Sequence, residues 1–144
     1  MKRKFFLLIG ILAGLFLIAT VIMQFMTIVD NPPITENISA PENVQKILTE
    51  SCYDCHSNET KMTWFQKLPF VSIMVAKDVK DARAELNFSQ WNQYAPELQK
   101  AHLINSVYYI KDKKMPMKQY LWIHPDAEVN AQELNLFENF ARNY

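Results

Sequence analysis

The sequence predicts an all-α fold, a small helical domain behind a single N-terminal transmembrane helix, and three observations carry that prediction. No charged side chain occurs from Phe5 to Val29, a run long enough at helical rise to cross a bilayer. The chain's 2 glycines, Gly10 and Gly14, both lie inside that run, so everything after it is glycine-free. Beyond the run, apolar residues recur at helical spacing behind capping signals.

Taken in order, Lys2, Arg3 and Lys4 precede the apolar run, and basic residues there hold the N-terminus in the cytoplasm. The rest of the chain is therefore expected on the periplasmic, extracytoplasmic side of the inner membrane, crossed once. A cleaved secretory signal is the alternative, but its apolar core is shorter and ends in a small-x-small site, which Val21-Ile22-Met23 and Phe25-Met26 do not offer. Residues 1–29 are thus assigned as anchor (or signal), 30–38 as linker and 39–144 as the folded domain. Asp30-Asn31-Pro32-Pro33 reads as a stiff, extended spacer.

Ser39 with Glu42 has the form of a capping box, and Val44, Ile47 and Leu48 follow at helical spacing, predicting a helix from Ala40 into Cys52. Trp64 to Pro69 interrupts periodicity. Val71, Val75, Val79, Ala82 and Leu86 then line one face of a second helix, with Lys77, Lys80, Asp81 and Glu85 opposite. Pro96 suits the first turn of a third, whose stripe of Leu103, Val107 and Ile110 ends in Lys111-Asp112-Lys113-Lys114. Asn130 with Glu133 caps a last helix carrying Leu134, Phe137, Ala141 and Tyr144.

Composition removes several functions. Phosphate-cradling loops and dinucleotide fingerprints need glycine where the backbone approaches a ligand, so no nucleotide is expected. With Lys2, Arg3 and Lys4 set aside, 12 basic residues face 15 acidic ones, which is no footprint for nucleic acid.

Cys52-Tyr53-Asp54-Cys55-His56 is a CxxCH sequence, the attachment signature of c-type haem. Two thiols one helical turn apart can form thioethers to the two vinyl groups of one macrocycle, while the adjacent imidazole reaches the iron. A CxxC outside the cytoplasm could also be a structural disulfide or a thiol-exchange site, but exchange normally sits on a βαβ unit, which a glycine-free helical domain does not suggest. Zinc wants four ligands at paired spacing. One covalently attached haem c is therefore the expected cofactor, bound through Cys52 and Cys55, with His56 as proximal iron ligand. A domain of about a hundred residues has a thin core, and the macrocycle adds apolar surface for its aromatic side chains to pack against.

The sixth iron position separates a carrier from a catalyst. Met115 is the expected distal ligand, because it lies in a loop past the third helix and Pro116 stiffens the chain after it. Met117 and His124 are the alternatives, His124 suiting a haem propionate or a backbone carbonyl equally well. Met62 lies too close to the motif to reach the other face, Met74 and His102 read as helix packing residues, and Arg83 as a solvated surface residue. Asn37, Asn58 and Asn87 formally match glycosylation acceptors; one beside the CxxCH motif points to coincidence.

The segments Ser51-Cys52-Tyr53-Asp54-Cys55-His56-Ser57-Asn58, Trp64, Leu86-Asn87-Phe88-Ser89-Gln90-Trp91, Met115-Pro116 with Tyr120, and His124-Pro125-Asp126-Ala127 together resemble a family of bacterial haem-binding domains related to cytochrome c. The resemblance spans nearly all of the soluble part. It implies a cytochrome-c-like haem domain, covalent haem on Cys52 and Cys55, His56 as proximal ligand, and Met115 at the family's Met-Pro position. The chain departs from the family's pattern at Thr63 and Met117, where prolines are usual.

The expected function is that of a membrane-anchored monohaem electron carrier with His/Met ligation, meeting redox partner proteins at the membrane, and not that of an enzyme. The alternatives are a haem with an open distal side, used in gas or peroxide sensing or catalysis, and a structural haem module.

Overall fold

The computed structural model describes residues 2–26 and 29–144, and among these every regular element is helical. The chain divides into two compact units, Met1–Asp30 with Met62–Asp78, and Asn31–Lys61 with Val79–Tyr144.

In the first unit, α1 (Lys2–Met26) contains a stretch, Lys2–Ile22, of mean hydropathy 2.9 with none of it buried. It is long and apolar enough to span a membrane. Thr27 and Ile28, the last turn of the expected apolar run, lie outside the described residues. A short 3₁₀ turn, Phe65–Lys67, follows Trp64, and the buried Gln66 accepts from the Thr63 backbone N–H and hydroxyl at 2.8 and 3.0 Å. Phe70 (φ 69°) turns the chain into the helix Val71–Glu85, whose residues 71–78 belong to this unit and 79–85 to the second. That helix turns the predicted face inward, with Val79 buried and Val71, Val75 and Ala82 half-buried, while Lys77, Lys80, Asp81 and Glu85 are exposed.

In the second unit, α2 (Glu42–Ser51) begins two residues later than the capping pattern predicts. Pro41 occupies the N-cap position, and a residue before proline is disfavoured in the α region, so Ala40 stays extended and Ser39 makes no cap. Upstream, residues 31–38 run extended but are not a loose tether. Thr35 and Glu36 donate backbone N–H bonds to Ser89 O at 3.0 and 3.3 Å, Ile38 donates to Phe88 O at 3.3 Å, and Trp91 N–H returns to Glu36 O at 3.0 Å.

Cys52 (φ −124°, ψ −41°) kinks the chain between α2 and the single turn α3 (Tyr53–His56). With the Val71–Glu85 helix taken as α4, α5 spans Pro96–Lys111 with Pro96 in its first turn, as predicted. The single turn α6 (Lys118–Leu121) follows, and α7 (Ala131–Asn143) closes the chain behind the predicted capping box. There Asn130 Oδ1 accepts from Gln132 and Glu133 N–H, and Glu133 Oε2 accepts from Asn130 N–H. Helices α2, α5 and α7 pack around one core that includes Leu48, Leu103, Phe88 and Phe137. On the surface, Lys111 of α5 and Arg142 of α7 pair with Glu138 at 2.7 and 2.6 Å.

The end of α5 shows what an absence of glycine costs. Lys113 N–H bonds Ile110 O and Lys114 N–H bonds Tyr109 O, both at 2.9 Å, with Lys113 at φ 54°. This is a Schellman closure, and its left-handed residue is ordinarily glycine because a Cβ there is strained. Lys113→Gly is expected to raise stability by about 0.5–1 kcal/mol, read as a higher urea midpoint at unchanged slope. A lower midpoint would show the lysine to be making a compensating contact.

Candidate functional site

The site begins at the kink. Cys52 N–H still bonds Leu48 O at 3.0 Å, continuing α2, while Cys55 and His56 N–H turn back to Cys52 O at 3.2 and 2.9 Å. Cys52 and Cys55 thus lie one helical turn apart, and both are thiols, not halves of a disulfide. Burial pushes the Cys52 thiol up to about 12, with Cys55 adding to the rise. An exchange-active CxxC does the reverse, lowering its thiol pKa.

His56 ends α3, and its ring is held from α4. Nδ1 lies 3.1 Å from Ala82 O and 3.0 Å from Leu86 O. Carbonyl oxygens only accept, so Nδ1 carries the proton and Nε2 keeps its lone pair. Burial lowers the pKa of the ring, opposed by those two bonds, and the neutral form is favoured. An imidazole oriented by backbone carbonyls at one nitrogen has the arrangement of a metal ligand at the other.

The turn after His56 is pinned by a polar network. Phe88 N–H donates to His56 O at 2.8 Å, Asn58 N–H to Ser89 Oγ at 3.0 Å, and Asn87 Nδ2 to Asn58 Oδ1 at 2.9 Å. Asn58 and Asn87 are both buried, so neither is an open glycosylation acceptor. Arg83, expected to be solvated, is half-buried and donates from Nε to Ser57 O at 2.7 Å and from Nη2 to Thr60 Oγ1 and Asn31 Oδ1, each at 2.8 Å. Its planar fork spans acceptors that a helix-surface reading of the sequence does not reveal.

A second segment docks on the motif. Tyr120 Oη donates to Asp54 Oδ2 at 2.8 Å, and Asp54 is the second of the two residues between the cysteines, directly before Cys55. Burial raises the Tyr120 pKa, and the Asp54 charge raises it further. The His124 ring stacks on Tyr120 at 4.3 Å between centroids, and its Nε2 is buried without a hydrogen-bond partner. The sequence assigns Asp54 and Tyr120 no role; the only signal for either is its place in the segments that resemble the family.

Met115 precedes Tyr120 on the same connection and is half-buried; its N–H bonds Tyr109 O at 3.2 Å, and the Met115–Pro116 peptide is cis. Met117 Sδ accepts from the exposed Gln119 at 3.4 Å. His102 is half-buried and packs edge-on against Tyr94 at 4.8 Å. Met62 and Met74 belong to the first unit.

The residues present fit a haem: two thiols one turn apart, an adjacent imidazole fixed with one nitrogen available, and a nearby buried histidine nitrogen without a partner. Among the described residues, no three His, Cys, Asp or Glu side chains converge as a metal ion held by protein alone would require. No curated protein and no solved structure significantly matches the chain. Residues 16–143 match the profile of the haem-binding domain family, so the chain belongs to that family and is a haem protein.

Proposed function

We propose that this chain is a membrane-anchored monohaem c-type cytochrome domain that carries electrons. The observation that carries the reading is the His56 ring, fixed through Nδ1 by Ala82 O and Leu86 O directly beside two thiols one turn apart. Cys52 and Cys55 would hold the haem through thioethers, each S–H adding across a vinyl group, so that no atom is lost and the cofactor cannot dissociate. His56 Nε2 would be the proximal iron ligand and Met115 the distal one. When bound, haem supplies a one-electron iron couple, whose potential a methionine ligand raises. Helix α1 crosses the inner membrane with the haem domain on the periplasmic side, as Lys2, Arg3 and Lys4 favour, which keeps the domain near membrane-bound redox partners.

A second distal ligand has one observation in its favour: His124 Nε2 is buried and without a partner, as a nitrogen kept for another group would be. Absorption spectra of the oxidised and reduced chain, with carbon monoxide added to the reduced form, decide between them. Wild type is expected to show a low-spin c-type spectrum and to resist carbon monoxide, and Met115→Ala to bind it. Loss of the closed distal site in His124→Ala instead would assign the ligand to His124. Rapid binding by wild type would replace the carrier with an open, sensing or catalytic haem.

A further inference from the structure

The segment that follows the CxxCH turn carries apolar side chains that the fold leaves in solvent. Trp64, Phe70 and Met74 are 76, 59 and 63% exposed, with Leu68 and Ile73 at 38 and 41%. Exposed large apolar side chains concentrated in so short a segment of a small domain mark an interaction surface, even with Gln66 and Ser72 buried between them. From Lys61 to Lys77 the chain has three lysines, Lys61, Lys67 and Lys77, and no acidic residue. Aromatic side chains interleaved with lysine are the composition of a membrane–water interface.

The second unit fixes where this segment starts. Asn31 Nδ2 donates to Thr60 O at 3.0 Å, and Thr60 N–H returns to Asn31 Oδ1 at 3.1 Å. Arg83 Nη2 bonds both Asn31 Oδ1 and Thr60 Oγ1 at 2.8 Å. Asn31 stands two residues beyond Val29, the end of the uncharged run, about 7 Å of chain at most. The clamp therefore ties Thr60 close to the point where the chain leaves the bilayer, and Trp64 lies within about 14 Å of chain from Thr60.

We infer that the segment Lys61–Lys77 is a second, peripheral membrane contact, with Trp64, Phe70 and Met74 entering the headgroup layer of an anionic bilayer that the segment's net positive charge favours. The inference rests on the reading of α1 as a membrane anchor. It gives the Asn31–Thr60–Arg83 clamp a purpose: the start of this segment is kept close along the chain to the point where α1 ends.

The test uses the full holoprotein, carrying a protease recognition sequence inserted after Val29, reconstituted into vesicles containing phosphatidylglycerol. Before cleavage the haem absorbance must sediment with vesicles through an alkaline wash; if it does not, the anchor reading fails and this contact with it. After cleavage, wild type is expected to stay largely on anionic vesicles and to leave neutral ones. The triple variant Trp64→Gln/Phe70→Asn/Met74→Gln is expected to be retained about tenfold less, with an unchanged haem spectrum and thermal midpoint. A variant that misfolds is replaced as readout by the anionic-to-neutral comparison on wild type alone. Complete release of cleaved wild type from anionic vesicles overturns the inference. So does equal retention of wild type and variant, and so does Trp64 fluorescence that responds to haem removal but not to lipid, which would make haem the occupant of this surface.

Discussion

Haem that stays with the chain through denaturation is the expected result for the wild-type protein, and the Cys52→Ala/Cys55→Ala variant is expected to lose it completely. On a denaturing gel, haem-dependent peroxidase staining should follow the wild-type band and be absent from the variant. The reason is chemical: a thioether would survive unfolding, whereas a bond from His56 to the iron would depend on the folded chain, in which Ala82 O and Leu86 O lie 3.1 and 3.0 Å from its Nδ1. His56→Ala separates the two roles, retaining the stain while losing the low-spin spectrum. Extraction of haem from denatured wild type into acidified organic solvent would show that the cysteines hold no covalent cofactor.

The second large effect is on folding. Phe88 is 1% exposed and stacks between Tyr53, at 5.8 Å and 28°, and Trp91, at 5.7 Å and 23°. Phe88→Ala is expected to cost about 3–5 kcal/mol, much of the stability of a domain this size, for which about 5–15 kcal/mol is usual. The stack adjoins the site, since Phe88 N–H, which alanine retains, bonds the carbonyl of His56. Phe88→Leu, which keeps most of the volume, is expected to cost only about 1 kcal/mol. Urea unfolding measures both, and a Phe88→Ala cost below about 1 kcal/mol would mean that the stack contributes little.

The parts of the fold legible from sequence are those written within one or two helical turns. The Asn130–Glu133 box, Pro96 in the first turn of α5 and the inward face of α4 are each encoded by residues a few positions apart, and each forms as read. The Ser39–Glu42 pattern misleads because it ignores its own neighbour: Pro41 bars Ala40 from the helix, and the extended chain before it is already committed to bonds with residues 88 and 89. Arg83 misleads for a different reason. A helix position says which way a side chain leaves the axis, and the acceptors at Ser57, Thr60 and Asn31 are brought there only by folding.

The sequence by itself determined the helical class, the apolar N-terminal helix and the spacing of Cys52, Cys55 and His56, because periodicity, capping and a five-residue motif are local properties. Only the tertiary structure decided which nitrogen of His56 is left available, since the acceptors are backbone carbonyls 26 and 30 residues away and every residue carries one. It also decided that Tyr120 closes on Asp54 across 66 residues and that His124 stacks behind it with a buried nitrogen left over. Those pairings are selected by packing, where the burial of apolar surface elsewhere brings polar groups together, and no pattern along the chain records them.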